Sequence, residues 1–292
     1  MVDDEQIAQP HEKHDPHVPL KNPLENVSEV DWTHPNIARI YDYHLGGHAN
    51  FAVDREVGDE WARIAPDQLA YCRHNRGFLW RAVRTLATEH GIDQFLDLGS
   101  GVPTVGNVHE IAHALNPDAR VAYVDVEPIA VSHARQLLGA AEQHISVTHA
   151  DVTEPEAVLT APGVAELLDF SRPIGVLALG ILDIIPTADG AGLMSHYRDA
   201  CPAGSALAVS NGAQLTLTPE QIQAIHALMS DSSTPSGHWR TREQVAELLA
   251  GYELLEPGVV PTAAWRPSEP VREADAARSN AYAAVGLLPP EH

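Results

Sequence analysis

The stretch Gln94–His113, "QFLDLGSGVPTVGNVHEIAH", decides the fold, and two readings that exclude one another overlap in it. Its first half runs from an apolar segment through Asp97 into Gly99 and Gly101, the pattern of a strand that opens through a glycine turn into a helix. Glycine serves where a backbone turns tightly and comes close to a ligand, and the first turn of the following helix offers unpaired N–H groups. Its second half carries His109, Glu110 and His113, a literal HExxH pattern, in which two histidines on one helix face hold zinc and the glutamate activates water.

Turning that helix separates the two readings. Val105, Val108, Ile111, Ala112 and Leu115 form one apolar stripe, the face expected to pack on a sheet, and both histidines fall just outside it toward solvent. A catalytic zinc needs a third protein ligand, and no later segment offers an obvious one. In a chain with 17 histidines the pattern arises by chance on the order of one time in ten, so no metal is assigned and zinc hydrolysis stays a remote alternative. His109 is kept as a residue near the mouth of a pocket.

Outward from the glycine turn, short apolar runs alternate with helical stretches. "FLDLG", "RVAYVD", "ISVTHAD", "IGVLALGI" and "SALAVSN" read as strands, with helices from about Thr104, from Pro128, near Pro155 to Leu168 and near Gly190 to Ala200. This alternation predicts an α/β fold with a doubly wound, mainly parallel sheet. Helices follow at Pro219 to Met229 and Arg242 to Leu249, then "YELLEP" and "NAYAAVGLLP", which read as a hairpin-like pair at the sheet edge.

Upstream, "NIARIYDYHLGG" stops at Gly46 and Gly47, and "RHNRGFLWRAVRTLATEHG" stops at Gly91, both helix-end signals. The first residues are polar, proline-containing and without period, and include His11, His14 and His17. The expected organisation is therefore a mobile tail over 1–31, a helical preface or lid over 32–91, and one core domain over 92–292.

Composition narrows the function. The 292 residues, 44% of them hydrophobic, suffice for one full α/β core. Cys72 and Cys201 give neither a disulfide framework nor a metal pattern, and no apolar leader is present, so a soluble cytoplasmic protein is expected. Ile174 to Leu182, the longest apolar run, is too short to cross a bilayer. A net charge of −22 argues against a polyanionic partner. Arg73, Arg76, Arg81 and Arg84 share one side of a helix, but such a run is read first as a solvated face. Nucleic acid is disfavoured, a small molecule is expected, and the oligomeric state stays open.

Asp97, Asp125 and Asp151 close three successive strands, at the carboxyl edge where open α/β sheets bind ligands. Each aspartate alone could cap the next helix. As a set beside two glycines they read as a nucleotide site, with Asp125 placed to accept hydrogen bonds from both ribose hydroxyls. A dinucleotide loop would carry a third glycine where this chain has Thr104, and Pro103 stiffens the turn, so an NAD-dependent oxidoreductase remains only an alternative.

Asp97, Gly99, Gly101, Asp125 and Asp151, in this order, resemble the motifs of the Rossmann-like S-adenosylmethionine (SAM)-dependent methyltransferases. A longer resemblance runs from about Thr33 to Leu288 through "HPNIARIYDYHLGGHANFAVDR", "NRGFLWRAVR", "FLDLGSGVPTVGNVHE", "YVDVEP" and "YELLEPGVVPTAAWRP". These are similar to the bacterial S-adenosyl methyltransferase family, most members of which have no assigned substrate.

The resemblance implies seven strands with the last antiparallel, SAM as cofactor and S-adenosylhomocysteine as product. It also implies a lid formed by Tyr41, Gly46, Gly47, Asn50 and Phe51, with Asn75 or Arg76 near the methionine carboxylate. Ser100, Val126, Val152 and Leu179 flank the motif positions and complete the candidate cofactor contacts. His44, His48 and Ala49 depart from the family pattern, so the loop after the first helix is a place for an acceptor of its own. His44, His48, His109, Tyr41 and Asp183 are the candidates for a proton acceptor. A SAM-binding protein, or a SAM-consuming enzyme that transfers no methyl group, is the alternative.

Overall fold

The computed structural model describes residues 31–101, 106–132, 143–234 and 237–290. Residues 1–30 of the expected tail, together with Pro103, Thr104 and Val105, lie outside the described residues.

Three helices come first: α1 (Ile37–His44), α2 (Ala52–Ile64) and α3 (Gln68–His90). The Asn36 side chain caps α1 by accepting from the Ala38 N–H at 2.8 Å, as a short amide at that position does. The α1–α2 loop is shaped by Asp42, whose buried carboxylate accepts the Ala49 N–H at 2.9 Å and the Asn50 amide at 2.8 Å. A Cβ at Gly47 would sit 1.9 Å from Asp42 Oδ1, so only glycine lets the chain fold back onto that carboxylate. Gly91, at φ +66°, ends α3 in the left-handed conformation.

Strands β1 (Gln94–Leu98), β2 (Arg120–Asp125), β3 (Ile145–His149), β4 (Gly175–Leu179) and β5 (Ala206–Gly212) are parallel and lie in the order β3-β2-β1-β4-β5. Every residue of β1 and β5 is buried, the pattern of a strand covered on both faces. β8 (Ala281–Leu287) runs antiparallel beside β5, and its far edge pairs with the two-residue strands β6 (Glu253–Leu254) and β7 (Val260–Pro261).

The sheet thus has eight strands, mostly parallel. The expected pairing of "YELLEP" with "NAYAAVGLLP" is present and antiparallel, but it is confined to Glu253 and Leu254, and "NAYAAVGLLP" is itself an interior strand between β5 and β6. Nearly all of β8 is buried, which fits an interior position.

One face of the sheet is covered by α3 and α4 (Val108–Leu115), through Phe78, Leu79, Val83, Leu86, Val108 and Ile111 against Phe95, Val121 and Leu177. Trp265 completes this layer edge-on to Phe78, with ring centroids 5.3 Å apart. The other face carries the helices between β3 and β5, packed through Val158, Val164, Met194 and Tyr197. The strand order reverses between β1 and β4, which opens a crevice at their carboxyl ends. α1 and α2 lie over that crevice and pack against the helix Pro219–Leu228.

Candidate active site

The crevice is a cavity lined from one end by Asp97, Gly99, Ser100, Gly101, Asp125 and Val126, and from the other by Tyr71, Asp183 and a set of apolar side chains. β1 delivers Asp97, and the chain turns at Gly99 and Gly101 with φ of +67° and +65°. A Cβ on Gly99 would meet Ile181 Cδ1 at 2.4 Å, so the turn needs glycine for space as well as for backbone conformation. The Gly99 N–H donates to Val124 O at 2.8 Å, which pins the turn against the end of β2. Asp125, at that end, accepts the Gly101 N–H at 2.7 Å through Oδ2 and the Glu127 N–H at 2.8 Å through Oδ1.

From above, α3 projects Tyr71, Asn75 and Arg76 into the cavity and α1 projects Tyr41. Asn75 is held by Ser210 Oγ, which donates to its Oδ1 at 2.6 Å, and donates in turn to Tyr41 Oη at 3.3 Å. Tyr41 Oη donates to Cys72 O at 3.1 Å. The Arg76 guanidinium lies 5.8 Å from the Tyr41 ring centroid. Its buried Nε has no hydrogen-bond partner among the described residues, and no carboxylate there comes within ion-pair distance of it. A guanidinium so placed is able to pair with an anionic group.

Burial sets the charges. The Asp97 carboxyl is pushed up to about 7 by loss of water, with the Asp125 charge adding to the effect and Arg76 opposing it. Asp125 is raised by burial against the lowering effect of the Glu127 and Gly101 N–H groups. Asp183 is pushed up to about 6 by burial, opposed by hydrogen bonds from the Gly212 N–H at 2.6 Å and Tyr71 Oη at 2.8 Å.

The preface is tied down beside Asp125 by a buried polar cluster that sequence reading missed. Arg39, 1% exposed, donates from Nε to Asp54 Oδ2 at 2.8 Å and from Nη1 to Glu127 Oε1 at 3.2 Å. Asn36 Nδ2 donates to Glu127 Oε2 at 2.9 Å and to Thr234 Oγ1 at 2.8 Å. Glu127, two residues past Asp125, therefore joins the cavity floor to its roof. Its nearness to Asp125 in "YVDVEP" was the available signal.

Several expected site residues lie elsewhere. Asp151 is exposed, and its Oδ1 accepts the Thr153 N–H and hydroxyl at 2.8 and 2.7 Å, so it closes its own turn. Val152 is a core residue. Gly46 and Gly47 shape the α1–α2 loop without lining the cavity. His44 Nε2 meets Gly58 O at 3.0 Å and His48 is exposed, and neither lines the cavity. His109 Nδ1 lies 2.7 Å from Tyr123 Oη and away from the cavity.

The zinc pattern has other work. Glu110 accepts the Gly106 and Asn107 N–H groups at 2.9 and 3.2 Å and caps α4, and His113 Nε2 meets Ala119 O at 2.9 Å. Among the described residues no three His, Cys, Asp or Glu side chains gather to hold a metal ion. The arginine row on α3 is also dispersed: Arg81 donates to the Trp265 and Thr262 carbonyls, Arg84 lies over Trp80, and Arg76 faces the cavity.

A strand-end acid, two left-handed glycines, a second strand-end acid and a guanidinium facing the cavity fit a nucleoside that carries a charged amino acid. The model of the S-adenosyl methyltransferase family matches residues 23–289. The chain belongs to that family. It is accordingly an enzyme that uses SAM as methyl donor.

Two solved structures agree with this assignment. A Thermobifida fusca YX protein assigned provisionally to the methyltransferases shares 40% identity, with 89% of this chain and 97% of that one covered at a TM-score of 0.82. A DUF574 family protein of Streptomyces avermitilis MA-4680 shares 33% identity, with 88% and 98% covered at 0.80. The magnesium protoporphyrin IX methyltransferase of Synechocystis PCC 6803, solved with S-adenosylhomocysteine, is 13% identical over 85% of this chain and 92% of that one at 0.50, and shares the fold alone. No protein of curated function matches the chain. The missing third glycine thus goes with SAM rather than with a nicotinamide cofactor.

Proposed function

We propose that the enzyme methylates a small molecule enclosed between α1, α2 and the carboxyl edge of the sheet. The observation that carries this is the continuity of the cavity: Asp125 and the glycine turn line the same pocket as Tyr71 and Asp183. SAM, when bound, supplies an electrophilic methyl group on a sulfonium sulfur.

The chain's part is to hold and orient. Asp125 would accept the ribose hydroxyls, with Ser100, Gly101 and Val126 against the nucleoside. Arg76 would hold the methionine carboxylate, with Asn75 fixing Tyr41 above it. Asp97, beside Arg76 at the cavity floor, would face the positive part of the donor, and Leu179 would pack below it. In this reading residues 32–91 act as a lid on a core formed by 92–292, and methyl and acceptor meet in line because both are held.

No helix among the described residues is long and apolar enough to cross a membrane. Cys72 and Cys201 are both unpaired, which suits a reducing cytoplasm.

Isothermal titration with SAM and with S-adenosylhomocysteine tests the donor site. Asp125→Ala removes two charge-assisted hydrogen bonds to the ribose, each worth roughly 1.5–3 kcal/mol, so affinity should fall by about a hundredfold or more. An unchanged affinity in that variant would sink the ribose assignment.

A further inference from the structure

Beyond Tyr41 the cavity changes character. Ile37, Ile40 and Trp61 from the preface face Leu217, Ile225 and Trp239 from the segment after β5, and these side chains form one apolar cluster. Among the described residues no lysine or second arginine lines the cavity. Arg240, buried behind it, spends its guanidinium on Leu182 O, Asn211 Oδ1 and Ile185 O at 2.6, 2.6 and 3.0 Å.

The polar contrast is a tyrosine hydrogen-bonded to a carboxylate. Tyr71 Oη donates to Asp183 Oδ2 at 2.8 Å, while Asp183 Oδ1 accepts the Gly212 N–H at 2.6 Å. Both side chains line the cavity. Each Asp183 oxygen keeps a second lone pair, and Tyr71 Oη, donating to Asp183, can itself accept a hydrogen bond from a group in the cavity. Tyr41 Oη is already engaged with Cys72 O and Asn75 Nδ2. The pair sits among apolar side chains and the neutral Gln68, Thr234 and Asn280, which disfavours an anionic acceptor, because a second negative charge would be desolvated beside Asp183.

We propose that this end of the cavity binds a neutral phenol and that Tyr71 and Asp183 together take its proton. The proposal rests on the donor site described above. In the step, the phenol oxygen bonds to the methyl carbon as the carbon–sulfur bond breaks, and that bond's electron pair stays on sulfur. The phenol proton passes to Tyr71 Oη while the tyrosine's own proton passes to Asp183 Oδ2. One buried positive and one buried negative charge disappear together, a change that a low-dielectric site favours.

An aliphatic hydroxyl is too weak an acid for a carboxylate relay, whereas a phenol, with an ordinary value near 10, lies within reach when its oxygen is being alkylated. The groups facing Asp183 are Tyr71 from α3, the Gly212 N–H from β5 and the charge of Arg240. Burial outweighs them and places the carboxyl at about 6, so the base is ionised above that pH and is lost below it. Tyr71 is raised well above its ordinary value by burial and by Asp183, so it relays a proton without ionising on its own.

The test uses 2-naphthol and the full-length protein saturated with S-adenosylhomocysteine. Excited 2-naphthol is a strong acid and emits as naphtholate where a proton acceptor lies within hydrogen-bond reach. The wild type should bind 2-naphthol at least about tenfold more tightly than the anion 2-naphthoate, and the bound naphthol should emit as naphtholate above pH 6. Asp183→Asn should shift that emission to the neutral form, and Tyr71→Phe, which keeps the carboxylate on Gly212, should do the same.

Unchanged S-adenosylhomocysteine binding shows that each variant is folded with its donor site intact. The proposal is overturned if 2-naphthol fails to bind the saturated wild type, if 2-naphthoate binds equally well, or if either folded variant keeps the naphtholate emission. Failure of the wild type to bind S-adenosylhomocysteine would instead overturn the donor-site assignment.

Discussion

Replacing Arg39 with methionine should release the preface from the sheet without unfolding the sheet. Methionine keeps an unbranched apolar stem and removes three hydrogen bonds, to Asp54 at 2.8 Å, Glu127 at 3.2 Å and His34 O at 2.7 Å. It also removes the cation 5.1 Å from the Phe51 ring centroid. Taking one partner from a buried ion pair costs about 3–5 kcal/mol, because a charge is left uncompensated. Asp54 keeps the Asn36 and Phe51 N–H groups at 3.0 and 2.8 Å, and Glu127 keeps the Asn36 amide, so the lower figure of about 3 kcal/mol applies. That is a factor of roughly a hundred in the opening equilibrium.

Native-state hydrogen exchange reads the effect by segment. Amides of 37–44 should exchange about a hundredfold faster, while those of β1, β4 and β5 keep the wild-type rate. SAM should also bind less tightly, since Glu127 donates its N–H to Asp125 in the same turn. Acceleration of α1 by less than about tenfold, or equal acceleration of the central strands, would refute the latch.

Other outcomes follow from single contacts. Gly99→Ala places a Cβ 2.4 Å from Ile181 Cδ1 at φ +67°, so it should lower stability by about 1–2 kcal/mol from the backbone alone, visible as a lower thermal midpoint and weaker SAM binding. Asp97 is raised from its ordinary 3.8 to about 7, so the fold holds the extra proton; its contribution to stability is present at low pH and lost as pH climbs through that window. Asp97→Asn should flatten this slope in thermal unfolding, and SAM binding to the wild type at neutral pH should release a proton, measured by titration in buffers of different ionisation enthalpy. Glu110→Ala should cost about 1 kcal/mol by removing the cap on α4 and leave methyl transfer intact; loss of activity with normal folding would restore the HExxH reading.

The fold was legible because its signals are local. "FLDLG", "YVDVEP" and the Gly46, Gly47 and Gly91 stops each carry their own geometry, and the alternation of strand and helix does the rest. Asp97, Gly99, Gly101 and Asp125 could be read as a set because one strand-turn-helix unit and its neighbour bring them together. Asp151 differs from the other two aspartates in lying outside the cavity lining and closing a turn with Thr153, a role that a strand-end aspartate serves equally and that its sequence does not distinguish. Tyr71, Trp239 and Ile225 carried no signal, since the far wall of the cavity joins α1, α2, α3 and residues 217–239 across long sequence separations. Arg39 sits in the helix "IARIY" among apolar neighbours, and its burial depends on Asp54 and Glu127, which no periodicity reveals.

The position of β8 bears on how a ribosome delivers this protein. The seven residues of β8 pair along the whole of β5, from Ala206 opposite Leu287 to Gly212 opposite Ala281, and they follow the other described strands in the chain. Until Leu287 has cleared the exit tunnel, a nascent chain holds β5 with one raw, apolar edge of backbone donors and acceptors. β8 converts that edge into an interior, so a chain cut before Ala281 presents a strand that other chains can pair with.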